Sequence, residues 1–232
     1  MASSLPRPTR KASKRRGAAV APAPRVAADA QGSARAKRSA ERRDAILAAA
    51  LDEFATRGFA ATRLDDVARR ASVAKGTIYL HFADKETLFQ ELIRLELGPV
   101  VGALEHVSHA EIPLRQIADQ LIEVFAREIF ETRRKDVIRL VITEGPRFPK
   151  LAEFYYREVI ARVMKTIRAM LQRAHERGEL KTDALAHFPQ LLAAPGIVAI
   201  IWSGLFDRFE PIDVRAMMRA HFGVLFDPRS GA

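Results

Sequence analysis

The stretch LDDVARRASVAKGTIYLHF, residues 64–82, decides how the chain is read. Its first part sets Leu64, Val67, Ala68 and Ala71 at i, i+3, i+4 and i+7, the spacing of one apolar stripe on a helix. Only Ser72, Val73 and Ala74 follow before a second helical stretch, Lys75 to Phe82, whose inward residues are Ile78 and Phe82. Two short helices joined by a three-residue turn have the spacing of a helix-turn-helix. At 100° per residue, an inward Ile78 turns Gly76 and Leu80 directly outward, with Thr77 and Tyr79 on the flanks.

Working outward, the preceding helix begins near Arg42 and carries Leu47, Ala50, Leu51 and Phe54 on one face, and Gly58 sits where it ends. Thr62 with Asp65 forms a capping-box pattern for the next helix. Asp84 is the expected cap of a fourth helix through Leu88, Phe89, Leu92, Leu95 and Leu97, which Gly98-Pro99 should interrupt or kink. Further helical patterns recur at 113–131, 135–144, 150–177, 184–208 and 213–226, divided by Gly145-Pro146, Pro149, Gly178 and Pro211. Pro189 and Pro195 should kink or split the penultimate one. No strand pattern and no internal repeat emerge, so the expected fold is all-α.

A helix reads DNA when one face packs on its own domain and the other meets the major groove. On the third helix, Thr77 and Leu80 suit a thymine methyl or base edge, and Lys75 can donate to guanine. Gly76 lets the backbone approach closely, while Tyr79, His81 and Lys85 have the reach and donors for phosphates.

The run from Thr62 to Leu88, with its core KGTIYLHF followed by Lys85-Glu86, resembles the DNA-binding domain of the TetR family. Further on, ITEGPRFP at residues 142–149 resembles the body of an AefR-like branch within the wider AcrR group. The resemblance implies a protomer of about nine helices, a homodimer built on the last two, a palindromic double-stranded operator and a small-molecule inducer. It also implies DNA contacts at Thr62, Lys75, Gly76, Thr77, Tyr79, His81 and Lys85, to which Arg63, Arg42 and Arg43 are added for their charge at helix starts. Two departures stand out: Ser72 where many members have Gly, and Ala74 where many have Ser.

The chain's formal charge of +10 is unevenly spread. Residues 1–40 hold ten basic side chains against Asp29 alone, which leaves only +1 for residues 41–232. That first segment is built of Ala, Pro, Ser, Lys and Arg and is expected to be a disordered basic arm, either a solvated tail without a role or one that adds phosphate contacts. The expected organisation is therefore an arm (1–40), a DNA-binding domain (41–90) and a helical dimerisation and ligand-binding domain (91–232). With no cysteine, neither disulfides nor thiolate chemistry enter, and a cytoplasmic setting is expected. The longest apolar stretch, Leu191 to Trp202, is short of the roughly 20 residues a membrane span needs, so no membrane partner is expected.

In the body, Phe125, Ile129, Phe148, Tyr155, Trp202 and Phe206 are candidates to line a ligand pocket. Leu185, Phe188, Leu192, Ile201, Leu205, Met218 and Phe222 are candidates for the dimer interface, because the last two helical patterns are apolar on more than one face. Glu144 and Arg147, in the loop before the long 150–177 helix, read as a structural ion pair rather than as a sensor of a polar ligand group. The six histidines form no i, i+4 metal pair, no nucleophile elbow occurs and the acids show no catalytic grouping, so no metal, cofactor or enzymatic activity is expected. Ligand-relieved repression is the leading reading. A sequence-indifferent architectural protein acting through the arm and, behind it, a helical small-molecule enzyme are the alternatives.

Overall fold

The computed structural model describes residues 1, 25–108, 111–180 and 183–226, with the backbone alone for 25–32. Its helices in order are α1 (Arg25–Ala61), α2 (Leu64–Arg70), α3 (Lys75–His81), α4 (Lys85–Ser108), α5 (Leu114–Val124), α6 (Arg134–Glu144), α7 (Pro149–Tyr155), α8 (Ala161–Glu176), α9 (Ala184–His187), α10 (Gln190–Phe206) and α11 (Val214–Leu225). Two wider π-helical turns, Phe125–Phe130 after α5 and Tyr156–Ile160 between α7 and α8, carry those rods onward. The described residues contain no strand, in keeping with the all-α expectation.

Residues Met1–Ala40 and Glu41–Ala232 are separate compact units. Helix α1 begins at Arg25, within the segment expected to be a disordered arm; the rest of that arm, residues 2–24, lies outside the described residues. Residues 27–40 hold six Ala with Gln31, Arg35, Lys37 and Arg38, residues that favour helix even where they bury little. Residues 33–40 are indeed exposed, Ser39 excepted.

In the larger unit, α1 breaks at Gly58, whose φ of 77° and ψ of 164° lie in a region open essentially to glycine. Helix α4 runs through Pro99 without ending, because Leu97 and Val101 on either side are buried and hold it against the body. In the penultimate pattern the chain does split at Pro189, giving the short α9, but α10 continues through Pro195.

One apolar core extends from α1–α3 into α4, α6 and α7. At its centre Phe54, Phe59 and Phe89 form a triangle with centroids 5.3–5.5 Å apart, and Phe148 closes on Phe59 at 4.8 Å. The second core gathers α5, α8, α10 and α11 around Ile117, Leu171, Ala199 and Phe222. Phe125 and Val163 pack against both, so the helix-turn-helix end and the far end of the unit share continuous packing.

Candidate nucleic-acid interface and cavity

Helix α3 is fixed by Ile78, fully buried, and by Phe82 just beyond its end. Its opposite side is open: Leu80 is 84% exposed and Tyr79 50%, with Lys75 and Gly76 also exposed and Thr77 and His81 half-buried. A Cβ built on Gly76 would meet nothing within 4 Å, so nothing in the chain covers the backbone there. The turn into α3 demands a left-handed residue, and Ser72 supplies it at φ 54°. It closes with Val73 N–H donating to Ala68 O at 3.0 Å, a Schellman-type end for α2. The two departures from the family pattern thus fall where they are felt: Ser72 sits in a conformation glycine prefers, and Ala74 leaves α3 with no side-chain cap.

Helix α2 is pinned to α1 by charge. Arg70 Nε donates to Glu53 at 2.7 Å, and Arg57 reaches Asp66 at 3.0 Å. Lys75 meets Asp65 at 2.9 Å, a hydrogen bond that raises its pKa and keeps it cationic. A phosphate or guanine would therefore compete with an exposed carboxylate for this ammonium.

Two expected contacts turn inward. The Thr62 hydroxyl does not cap α2, where Arg63 occupies the capping position without a side-chain bond. It is buried, 2.8 Å from Gly58 O and 3.1 Å from Glu53 O, and ties down the loop that follows α1. Lys85 Nζ donates to Phe59 O at 2.6 Å and to Ala60 O and Thr62 O at 3.0 Å each, which uses all three of its protons. Desolvation there lowers the Lys85 pKa, opposed by Glu144 and Glu86. Spacing could not foresee this, since a helix that stops leaves carbonyls bare and a lysine 23–26 residues onward collects them. Arg63 and Arg42 are exposed, and Arg43 is bound to Glu91. Asp84 caps α4 as expected, accepting from Thr87 N–H at 2.6 Å, and that bond lowers its pKa.

Where α1–α3 meet the body, Glu144 turns to Gly58 rather than pairing with Arg147: a Cβ on Gly58 would lie 2.7 Å from Glu144 Oε1. Arg147 stands instead over the Phe148 ring, 6.0 Å from its centroid. Arg133, at the start of α6, bonds Asp52 of α1. Sequence reasoning missed these contacts, since acid–base pairs 81 residues apart leave no periodic trace.

Within the body lies a cavity of about 190 Å³ bounded by α4, α5, α6, α7, α8, α10, α11 and the two π-helical turns. Phe125, Ile129 and Tyr155 line it. Phe148, Trp202 and Phe206 do not: Phe148 belongs to the aromatic cluster under α1, and Trp202 stacks edge-on to Phe206 at 5.0 Å while its indole N–H donates to Glu210 O. Of the candidate interface residues, Phe188, Ile201 and Leu205 are exposed, together with Leu191, Ile197 and Val198. Leu185, Leu192, Met218 and Phe222 are buried in their own chain instead. Helix α10 is apolar on every side, so periodicity had no means of telling its inner face from its outer one. Among the described residues no helix is long and apolar enough to cross a membrane, and no group of three metal-binding side chains occurs.

Comparison with known proteins accords with this geometry. Residues 46–92 match the model of bacterial regulatory proteins of the tetR family, and residues 113–206 that of the C-terminal domain of AefR-like transcriptional repressors. The HTH-type transcriptional repressor BepR of Brucella suis is 32% identical over 152 residues, which span 62% of this chain and 71% of BepR. The chain belongs to the TetR family. A second TetR-family relative, the HTH-type transcriptional regulator AcrR of Shigella flexneri, is 35% identical over 104 residues, 44% of this chain. The chain spans about half (48%) of AcrR's length. The fold is shared with the SmeT–triclosan complex, at a TM-score of 0.68 and 17% identity over 83% of this chain and 95% of that one.

Proposed function

We propose that this TetR-family chain is a homodimeric transcriptional repressor, acting in the cytoplasm, that holds a palindromic double-stranded operator through α3 and lets go when a small molecule fills the body cavity. The observation that carries the reading is the outward side of α3, where Leu80 and Tyr79 stand exposed opposite a fully buried Ile78. Lys75, Gly76, Thr77 and His81 complete that face, and Arg63 flanks it. Thr62 and Lys85 contribute indirectly, by fixing the loop behind it.

Dimerisation is supported by the outer face of α10, whose Leu191, Ile197, Val198, Ile201 and Leu205 would otherwise be an apolar stripe in water. Two copies are also what successive major grooves about 34–36 Å apart require. Release is supported by shared parts. Ile138 of α6 and Tyr155 of α7 line the cavity, and the loop joining those helices brings Glu144 and Phe148 against the end of α1. A ligand that favours one arrangement of α6 and α7 therefore biases the DNA-binding helices, by as much as its affinity differs between the two states.

The test is selection of bound sites from a random DNA pool with the full-length protein. A palindrome with half-sites one helical turn apart is expected, preferred over random DNA by roughly 10³-fold or more. A pool that emerges without a consensus would favour the architectural reading.

A further inference from the structure

We infer that the effector of this cavity is a compact, uncharged molecule of about ten non-hydrogen atoms, largely apolar and bearing one hydrogen-bonding oxygen, which the Tyr155 hydroxyl holds. The inference rests on the reading of the cavity as a ligand site and adds the chemistry of what enters it.

The lining argues first by what it contains. Leu97, Val101, Ile129, Val159, Ile200 and the rest of the wall are aliphatic or aromatic, with two methionines, and no lining side chain carries a charge. A carboxylate or ammonium drawn into such a site would lose its hydration with no counter-charge to replace it. An apolar body gains on the same transfer.

Size narrows the class. A cavity of about 150 Å³ is known to accept benzene, and this one measures about 190 Å³. It thus has room for one ring and a short chain, well below the 300–1,000 Å³ typical of drug-sized sites. Growth is limited on the α10 side, where the Phe125 ring rests on bare backbone: a Cβ on Gly196 would come within 2.9 Å of it. Met164 and Met218 are the pliant parts of the wall.

Tyr155 supplies the orientation. It is the one lining residue with a hydrogen-bonding hydroxyl, and no hydrogen bond among the described residues engages it. Burial pushes its pKa up to about 12, so the phenol keeps its proton and stands as a donor throughout the physiological range. A ligand oxygen seated in the cavity can accept from it, which gives one directional contact on an otherwise apolar wall.

The experiment is calorimetric titration of the full-length protein at neutral pH with four probes on one carbon frame: propiophenone, propylbenzene, 3-phenylpropanoate and 3-phenylpropylammonium. Propiophenone should bind at least tenfold tighter than either ion. Tyr155→Phe should weaken propiophenone about 3- to 10-fold and leave propylbenzene unchanged, a pattern that mere loss of structure would not produce. An unchanged propiophenone affinity in Tyr155→Phe, or loss of both neutral probes together, would overturn the role given to the hydroxyl.

Val163→Phe, which fills the cavity wall, separates the two levels of inference. An ion that binds as well as the ketone and is expelled by Val163→Phe would overturn the uncharged class while the cavity remained a ligand site. No binding by any probe, or binding indifferent to Val163→Phe, would overturn both.

Discussion

Helices α3 and α10 both show large apolar side chains to water, Leu80 on one and Leu205 on the other, yet only the first announced its purpose in the sequence. On α3 the outward residues stand against a single buried anchor, Ile78, in a helix of two turns flanked by polar groups, so the period separates inside from outside. Helix α10 is apolar all round, and its water-facing stripe has the same chemistry as the side packed in the core. A functional surface is legible when it differs chemically from the core behind it. A surface made to be buried later, by another copy or a ligand, looks like more core.

That contrast breaks most visibly if α10 is not an interface. Ile201→Glu with Leu205→Glu should convert the dimer to monomer in sedimentation and, by removing joint engagement of two half-sites, weaken operator binding by roughly 10²- to 10⁴-fold. A variant that stayed dimeric would return the α10 stripe to plain surface.

The junction between the two regions is the next place to press. Gly58→Ala forces a side chain into a φ of 77° and toward Glu144, and should cost about 2–3 kcal/mol in urea unfolding. Adding Glu144→Ala should return part of that loss, since the steric share is relieved while the backbone share stays.

The α3 face itself should yield the opposite signature. Thr77→Ala or Tyr79→Ala should weaken operator binding by about 1–3 kcal/mol and leave the melting temperature within a degree or two. A stability loss as large as the binding loss would mean these side chains pack rather than read.

How far the sequence could be read follows the same division. Helix after helix was visible as a 3.6-residue rhythm, and the α2–α3 turn as a spacing, because both are local. What escaped was either non-local or degenerate. The charge of Lys85 points to phosphate, whereas the carbonyls it binds stand free only because α1 breaks at Gly58. Phe148 and Trp202 were assigned to the cavity for being aromatic, and aromatic character is shared by every packed site in the body. Only three-dimensional contact sorts Phe125, Ile129 and Tyr155 from them.

A smaller effect sharpens the local half of the comparison. Asp84→Ala removes the cap of α4 and should cost about 1 kcal/mol near neutral pH. The folded-state pKa of Asp84 is lowered, foremost by the Thr87 backbone bond, so its contribution is full above the ordinary carboxylate range and lost as pH falls through the depressed folded value. Wild type and variant should therefore converge in stability toward acid, which a pair of urea titrations at neutral and strongly acidic pH would reveal.

The smallest expected effect tests the turn on which the reading of α3 depends. Ser72 holds φ 54°, where a Cβ costs about 1–2 kcal/mol in backbone strain. Glycine would relieve that strain but bring greater freedom to the unfolded chain, worth about 0.5–1 kcal/mol in the other direction. Ser72→Gly should accordingly stabilise by about 0.5–1 kcal/mol and leave operator affinity unchanged, because Ser72 lies before the face proposed to read DNA. A gain in affinity without a gain in stability would mean instead that the strained turn holds α3 away from its best angle in the groove, and that this chain gives up binding strength at a position where many of its family carry glycine.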